Sequence, residues 1–200
     1  MSDTQAQLVD DDDRARYATQ MERVKLRIDE AANLLNSIHD ERAVLYAAVQ
    51  LRLVLEELSF ASLVGNRKAL EQAQLSWNQR NWDAAVKSLR RLNPEYWPRG
   101  VTEVNEIDKS EWIDIEGGLS EASVARIWGR LSAILHAKNP WDDRLNVSAE
   151  AAFVRDLISV LRLTLSSHFI TLVGGEQLLF CRVWSSPIQV YLFSQQDEDS

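Results

Sequence analysis

The chain has 200 residues, of which 46% are apolar and 26% charged, the size and balance of one globular domain with a sizeable core. Those values exclude a mainly disordered chain, and the lack of any long uncharged apolar run excludes a transmembrane helix. The net charge of −8 lies at the two ends: residues 1–13 hold five acids and no base, residues 194–200 hold three acids and no base, and the remainder balances at 22 acids against 22 bases.

Charge runs of this kind read as solvated ends. Residues 1–15 and 196–200 are therefore expected to be acidic tails, the first of them disordered, around a single domain over 16–195. The first residues have neither the basic flank nor the apolar stretch of a signal peptide. Cys181 is the one cysteine, so no internal disulfide and no cysteine-built zinc site is expected. A cytoplasmic protein without a membrane partner fits these features.

Helical spacing governs the first half. Tyr17, Met21, Val24, Ile28, Ala31, Leu35 and Ile38 recur in alternating steps of four and three, a heptad seam. The seam over 16–38 must bury itself against the next helix of this chain or against another protein. The following segment, 41–65, is apolar nearly all round, from Val44 and Leu45 through Val49 to Leu63, and such a helix belongs at the centre of a core. Asp40 is placed to cap its start and Gly65-Asn66 to end it. Arg52, Glu56 and Ser59 form its polar stripe. Arg52 and Glu56 are expected to pair, either as a structural brace or in support of a site.

Two shorter helices are expected near 67–78 and 81–92. Residues 67–99 carry seven bases against three acids, interleaved with Trp77, Trp82, Tyr96 and Trp97. This pattern suits either a solvated basic face or contacts to phosphates and bases. Residues 100–118 are acidic and interrupt the helical pattern, with a short strand expected at Trp112–Ile115. Helices follow over about 121–138, behind Ser120 as cap, and about 148–167. Beyond His168 the pattern changes to strands: Phe169–Val173, Leu178–Trp184 and Ile188–Phe193, joined by Gly174-Gly175 and Ser185-Ser186-Pro187. The fold class read from the sequence is mainly α, a helical bundle over 16–168 with a small C-terminal antiparallel β-hairpin or meander over 169–193.

Neither a Gly-x-Gly-x-x-Gly nor a Gly-x4-Gly-Lys-Ser/Thr loop is present, no His-Glu-x-x-His occurs, and His39, His136 and His168 are scattered. No cofactor and no metal site is expected. What remains is Arg130-Leu-Ser-Ala-Ile-Leu-His136, an Arg-x5-His pair late on a helix. It resembles the Arg-x4–6-His signature of HEPN domains, a helical family rich in metal-independent ribonucleases of prokaryotic toxin–antitoxin and antiviral defence systems. The resemblance covers the bundle and implies a homodimer whose two motifs share a cleft, an RNA substrate, and a cognate antitoxin or defence partner. It implies that His136 moves the proton of the ribose 2′-hydroxyl or of the leaving oxygen. Arg130 would hold the scissile phosphate, with Arg126, Lys138 and Asn139 as RNA contacts.

Imidazole titrates near neutrality and guanidinium offers a charged fork to phosphate, so those roles suit the residues. On an ideal helix, six residues place Arg130 and His136 about 120° apart, so a long arginine, a bend near Asn139-Pro140 or a partner chain is needed for them to converge. A second copy of the pattern is Arg162-x5-His168. The alternative reading is a non-catalytic interaction module that uses the heptad helix 16–38.

Overall fold

The computed structural model describes residues 9–37, 40–73, 82–104, 112–136 and 146–194. Among the described residues six helices and a five-stranded antiparallel sheet make the chain mainly α with a C-terminal sheet, as the sequence indicates. The helices are α1 (Asp11–Ser37), α2 (Glu41–Gly65), α3 (Arg67–Gln72), α4 (Trp82–Leu92), α5 (Glu121–Leu135) and α6 (Val147–Ser166). The strands are β1 (Arg99–Glu103), β2 (Trp112–Asp114), β3 (His168–Thr171), β4 (Gln177–Arg182) and β5 (Gln189–Ser194). Among the described residues no helix is long and apolar enough to cross a membrane.

α2 is the central helix. Ala47, Ala48, Leu51, Val54, Leu55 and Leu58 are buried, and α1, α4, α5 and α6 all pack against it. The Asp40 carboxylate accepts the Ala43 N–H at 3.0 Å and caps the first turn, while Asn66 ends the helix. The apolar character of α2 is not complete in effect: Tyr46 and Val49 face solvent. The α1 seam is fully used inside the molecule. Tyr17, Met21, Val24, Ile28, Ala31 and Leu35 are all buried, mainly against α2 as an antiparallel helical hairpin. An interaction module would therefore have to use some other surface of the chain than this seam. Ile38 lies outside the described residues.

α3 stops at Gln72 and α5 at Leu135, short of the expected 78 and 138, and two helix starts also differ from the sequence reading. α1 starts at Asp11, so residues 11–15 are helix rather than disordered tail. The Asp10 carboxylate accepts the Asp13 N–H at 2.9 Å, and the three acids of the first turn suit the positive end of the helix dipole. Asp13 is only 1% exposed. Its carboxylate accepts from Arg67 Nε at 2.8 Å and Nη2 at 3.0 Å, and Asp10 pairs with Arg67 and Lys68. Charge composition alone does not show this pairing, because its partners lie more than fifty residues away. The second difference is at α6, whose cap is the Asn146 side chain, accepting from Ala149 N–H, with Ser148 already inside the helix.

The sheet is larger than a C-terminal meander. Its order is β2-β1-β3-β4-β5, all antiparallel. The acidic excursion after residue 98 supplies β1 and β2, and β1 joins the meander through Arg99↔Phe169 and Gly100↔His168. Gly100 permits this: a Cβ there would lie 2.9 Å from the Thr164 carbonyl oxygen of α6. Thr164 also accepts the Leu119 N–H at 2.7 Å and donates to the Val160 carbonyl at 2.8 Å. The β3–β4 turn takes Gly174 and Gly175 in the left-handed region, at φ 94° and 79°. The inner face of the sheet carries Ile170, Leu179 and Cys181 into the bundle core, and the outer face gathers Val101, Trp112, Phe169, Leu178 and Phe180.

The Asp13–Arg67 pair predicts a measurable anchor between the start of α1 and the α2–α3 corner. Arg67→Met leaves a buried carboxylate without its cation and is expected to lower stability by about 2–4 kcal/mol in urea unfolding. Adding Asp13→Asn is expected to recover part of that loss.

Candidate functional site

The end of α5 carries both Arg130 and His136, six residues apart, the first within the helix and the second at its C-cap. Arg130 is on the last two turns of the helix, whose buried face is Val124, Ile127, Leu131 and Ile134. The helix stops at Leu135, so His136 is the C-cap, with extended backbone at φ −76° and ψ 143°. Its N–H still bonds the Ser132 carbonyl at 3.1 Å. Because φ of His136 stays close to the helical value, its side chain still leaves α5 about 120° around from that of Arg130. Both residues are exposed, as is Arg126, one turn before Arg130 on the same side of α5. Lys138 and Asn139 lie outside the described residues.

Two residues of α6 that sequence reasoning missed hold Arg130. Its Nε donates to Glu150 Oε2 at 3.1 Å, and its guanidinium carbon lies 3.9 Å from the centre of the Phe153 ring. Glu150 and Phe153 are three apart on α6 and so share a face. Nothing in the local sequence signals that this face meets α5. The side chains of Arg130 and Glu150 are 42% and 21% exposed, and a pair this open is worth about 0–1 kcal/mol. An incoming phosphate can therefore compete for the guanidinium.

The predicted Arg52–Glu56 pair is present at 3.7 Å. It braces α2 against α5, because the Arg52 guanidinium sits 4.3 Å from the centre of the Trp128 ring. Partial burial holds the Glu56 carboxyl above its usual pKa, against the opposing pull of Arg52. Ser59 does not belong with them: its buried hydroxyl donates to the Leu55 carbonyl at 3.2 Å.

The second Arg-x5-His pattern does not form a site. Arg162 points outward and pairs with Asp29 of α1 at 2.7 Å. His168 is fully buried at the start of β3, where Nε2 is 2.8 Å from the Tyr17 hydroxyl and Nδ1 is 3.4 Å from the Leu165 carbonyl. The two residues separate because α6 ends between them and the chain turns into the sheet. Burial lowers the His168 pKa to about 4, so the imidazole is neutral near pH 7. Burial likewise raises the Tyr17 hydroxyl and the Cys181 thiol.

The basic stretch 67–99 is largely paired across the fold rather than gathered into one patch. Arg67 and Lys68 bind the start of α1, Arg90 pairs with Glu121, and Arg99 pairs with Asp114 at 3.3 Å. Val86 and Leu89 of this stretch are core, and Trp97 is buried with its indole N–H on the Leu119 carbonyl at 3.1 Å. Trp77 and Arg80 lie outside the described residues. A cleft of about 350 Å³ opens beside Trp97, between Arg99, Asp114, Glu121 and Thr164. Each of those four polar side chains already has a partner in the fold. Among the described residues no group of three His, Cys, Asp or Glu side chains is placed to hold a metal ion.

His168 generates a prediction with a definite sign. Its folded pKa is about 4 and its ordinary value 6.5, so the unfolded chain takes up a proton first as pH falls. The stability that depends on neutral His168 is fully present above pH 6.5 and is lost as the pH falls to about 4, by about 3 kcal/mol. Urea unfolding across that window is expected to show this fall, and His168→Gln is expected to flatten it whatever its own baseline stability. Comparison with known proteins finds no family model that matches the chain, and neither a curated protein nor a solved structure that does so.

Proposed function

We propose that the protein is a HEPN-like endoribonuclease that cuts RNA without a metal at Arg130 and His136. In this reading it is a cytoplasmic component of a prokaryotic defence or toxin module, with a cognate antitoxin or defence protein as partner. The observation that carries the proposal is the contrast between the two Arg-x5-His pairs. One is divided between surface and core, while Arg130 and His136 are both exposed where α5 ends.

The chemistry follows from the residue types. A ring nitrogen of His136 takes the proton of a ribose 2′-hydroxyl, and the 2′-oxygen attacks the adjacent phosphorus. The bond from phosphorus to the 5′-oxygen breaks, and that oxygen takes a proton from His136 of the partner subunit across the homodimer cleft. The products are a 2′,3′-cyclic phosphate and a 5′-hydroxyl. Arg130 gives the phosphoryl oxygens a charged fork as negative charge builds on them. Glu150 and Phe153 hold the guanidinium in one orientation and yield part of it to the phosphate. Arg126 extends the cationic strip on α5.

A non-catalytic interaction module is the second reading. The tie between Arg130 and Glu150 favours it, since that pair neutralises the charge the reaction needs.

The test is cleavage of a mixed-sequence RNA by the full chain in EDTA. The wild type is expected to leave 2′,3′-cyclic phosphate ends. His136→Ala and Arg130→Ala are expected to slow the reaction by about 10²- to 10⁴-fold, and His168→Gln to leave it unchanged at pH 7.5. Absence of cleavage, or cleavage that His136→Ala does not alter, would overturn the nuclease reading and leave the interaction module.

A further inference from the structure

The two edges of the sheet are built differently. β2, at one edge, has three residues and carries Asp114. Short, charged edge strands resist pairing with other chains. β5, at the other edge, has six residues, Gln189-Val190-Tyr191-Leu192-Phe193-Ser194, with no charge and no proline. Its register against β4 runs without a bulge from Gln177↔Ser194 to Arg182↔Gln189. Among the described residues no strand lies on its other side. Among the described residues one row of main-chain N–H and C=O groups along β5 meets no further strand, and the strand itself carries no charge, proline or bulge to blunt the edge, while α1 packs against it.

The side chains on this edge are apolar on both faces. Tyr191 and Phe193 are on the outer face, 45% and 44% exposed, in ring contact with Phe180. Val190 and Leu192 are on the inner face, packed against the bundle core. A partner strand that continues the sheet must therefore be apolar on both faces too.

We infer that β5 pairs antiparallel with β5 of a second copy of this chain, about a two-fold axis through Leu192. That register is self-complementary. It sets Tyr191 opposite Phe193 of the partner subunit, Leu192 opposite its own copy and Val190 opposite Ser194 of the partner subunit, so each face continues in kind. It forms roughly four to six main-chain hydrogen bonds. The two sheets become one of ten strands with a continuous aromatic outer face. An acidic or basic peptide finds no counter-charge on β5, which is why the second copy is the better occupant. The interface stands beside β4 and α1, includes neither Arg130 nor His136, and does not depend on the nuclease reading.

The experiment is sedimentation velocity of the full chain from about 1 µM to about 100 µM, with the double variant Tyr191→Lys/Phe193→Lys. Both positions are exposed, and circular dichroism and melting check that the variant folds. The wild type is expected to self-associate. The double variant, which sets ammonium groups opposite one another, is expected to dissociate at concentrations at least about tenfold higher. As a direct readout, Leu192→Cys on the axis is expected to cross-link to its own copy under mild oxidation, while Ala122→Cys on exposed α5 does not. Cys181 is buried and stays silent. A monomer across the whole range, an assembly of the same size in the wild type and the double variant, or cross-linking of Leu192→Cys no faster than that of Ala122→Cys would each overturn the proposal, whereas loss of only the larger wild-type species, leaving a dimer, would support it beside a separate pairing at His136.

Discussion

A helix that is apolar on most of its circumference cannot face water, and the arrangement of this protein follows from covering α2. Its 25 residues bury thirteen side chains or glycine positions along its length. α1 takes the longest contact, α5 and α6 take another flank, and α4 closes part of the remainder. The positions of α5 and α6 are thereby set by core packing rather than by anything the candidate site requires. The site is a by-product of where those two helices end and begin. Arg52 shows the coupling: it belongs to α2, yet its guanidinium lies on Trp128 of the helix that carries Arg130.

Much of this was legible in the sequence, for physical reasons that also explain what was not. Periodicity reports which face of a helix is apolar, so the α1 seam and the central α2 could be read directly. Turn chemistry is equally local, and Asp40, Asn66 and Gly174-Gly175 act where they were expected. Contacts between distant segments leave no such trace. β2 is three residues long and has meaning only through its register with β1. Asp13 looks like one acid in a run of four until Arg67 is brought beside it by the fold. The candidate site lies between these extremes. The spacing of Arg130 and His136 is visible, but the same spacing at Arg162 and His168 is equally visible and means something else. Only the three-dimensional course of the chain separates them.

The ion pairs give the charge pattern a purpose it lacks as a sum. Several bases of the 67–99 stretch connect elements that would otherwise meet only through apolar contacts: α1 with the α2–α3 corner, α4 with the start of α5, and β1 with β2. A surface with its cations engaged in this way offers little diffuse attraction to a polyanion. Any recognition of RNA therefore rests on a few placed groups and not on a broad field. The openness of the Arg130–Glu150 pair matters in that setting, because a weak pair can hold the arginine in position without withholding it.

α6 has a mechanical role that its contacts do not advertise. At 20 residues it is a rod about 30 Å long. Glu150 and Phe153 at one end steady Arg130, while Thr164 at the other end is locked under β1 at Gly100. A rigid rod turns a small rotation at one end into a displacement at the other. A tilt of about 2° moves the far end by about 1 Å, an error that is enough to cost a catalytic geometry about a hundredfold in rate. The sheet and the arginine are therefore tied to the two ends of one stiff helix.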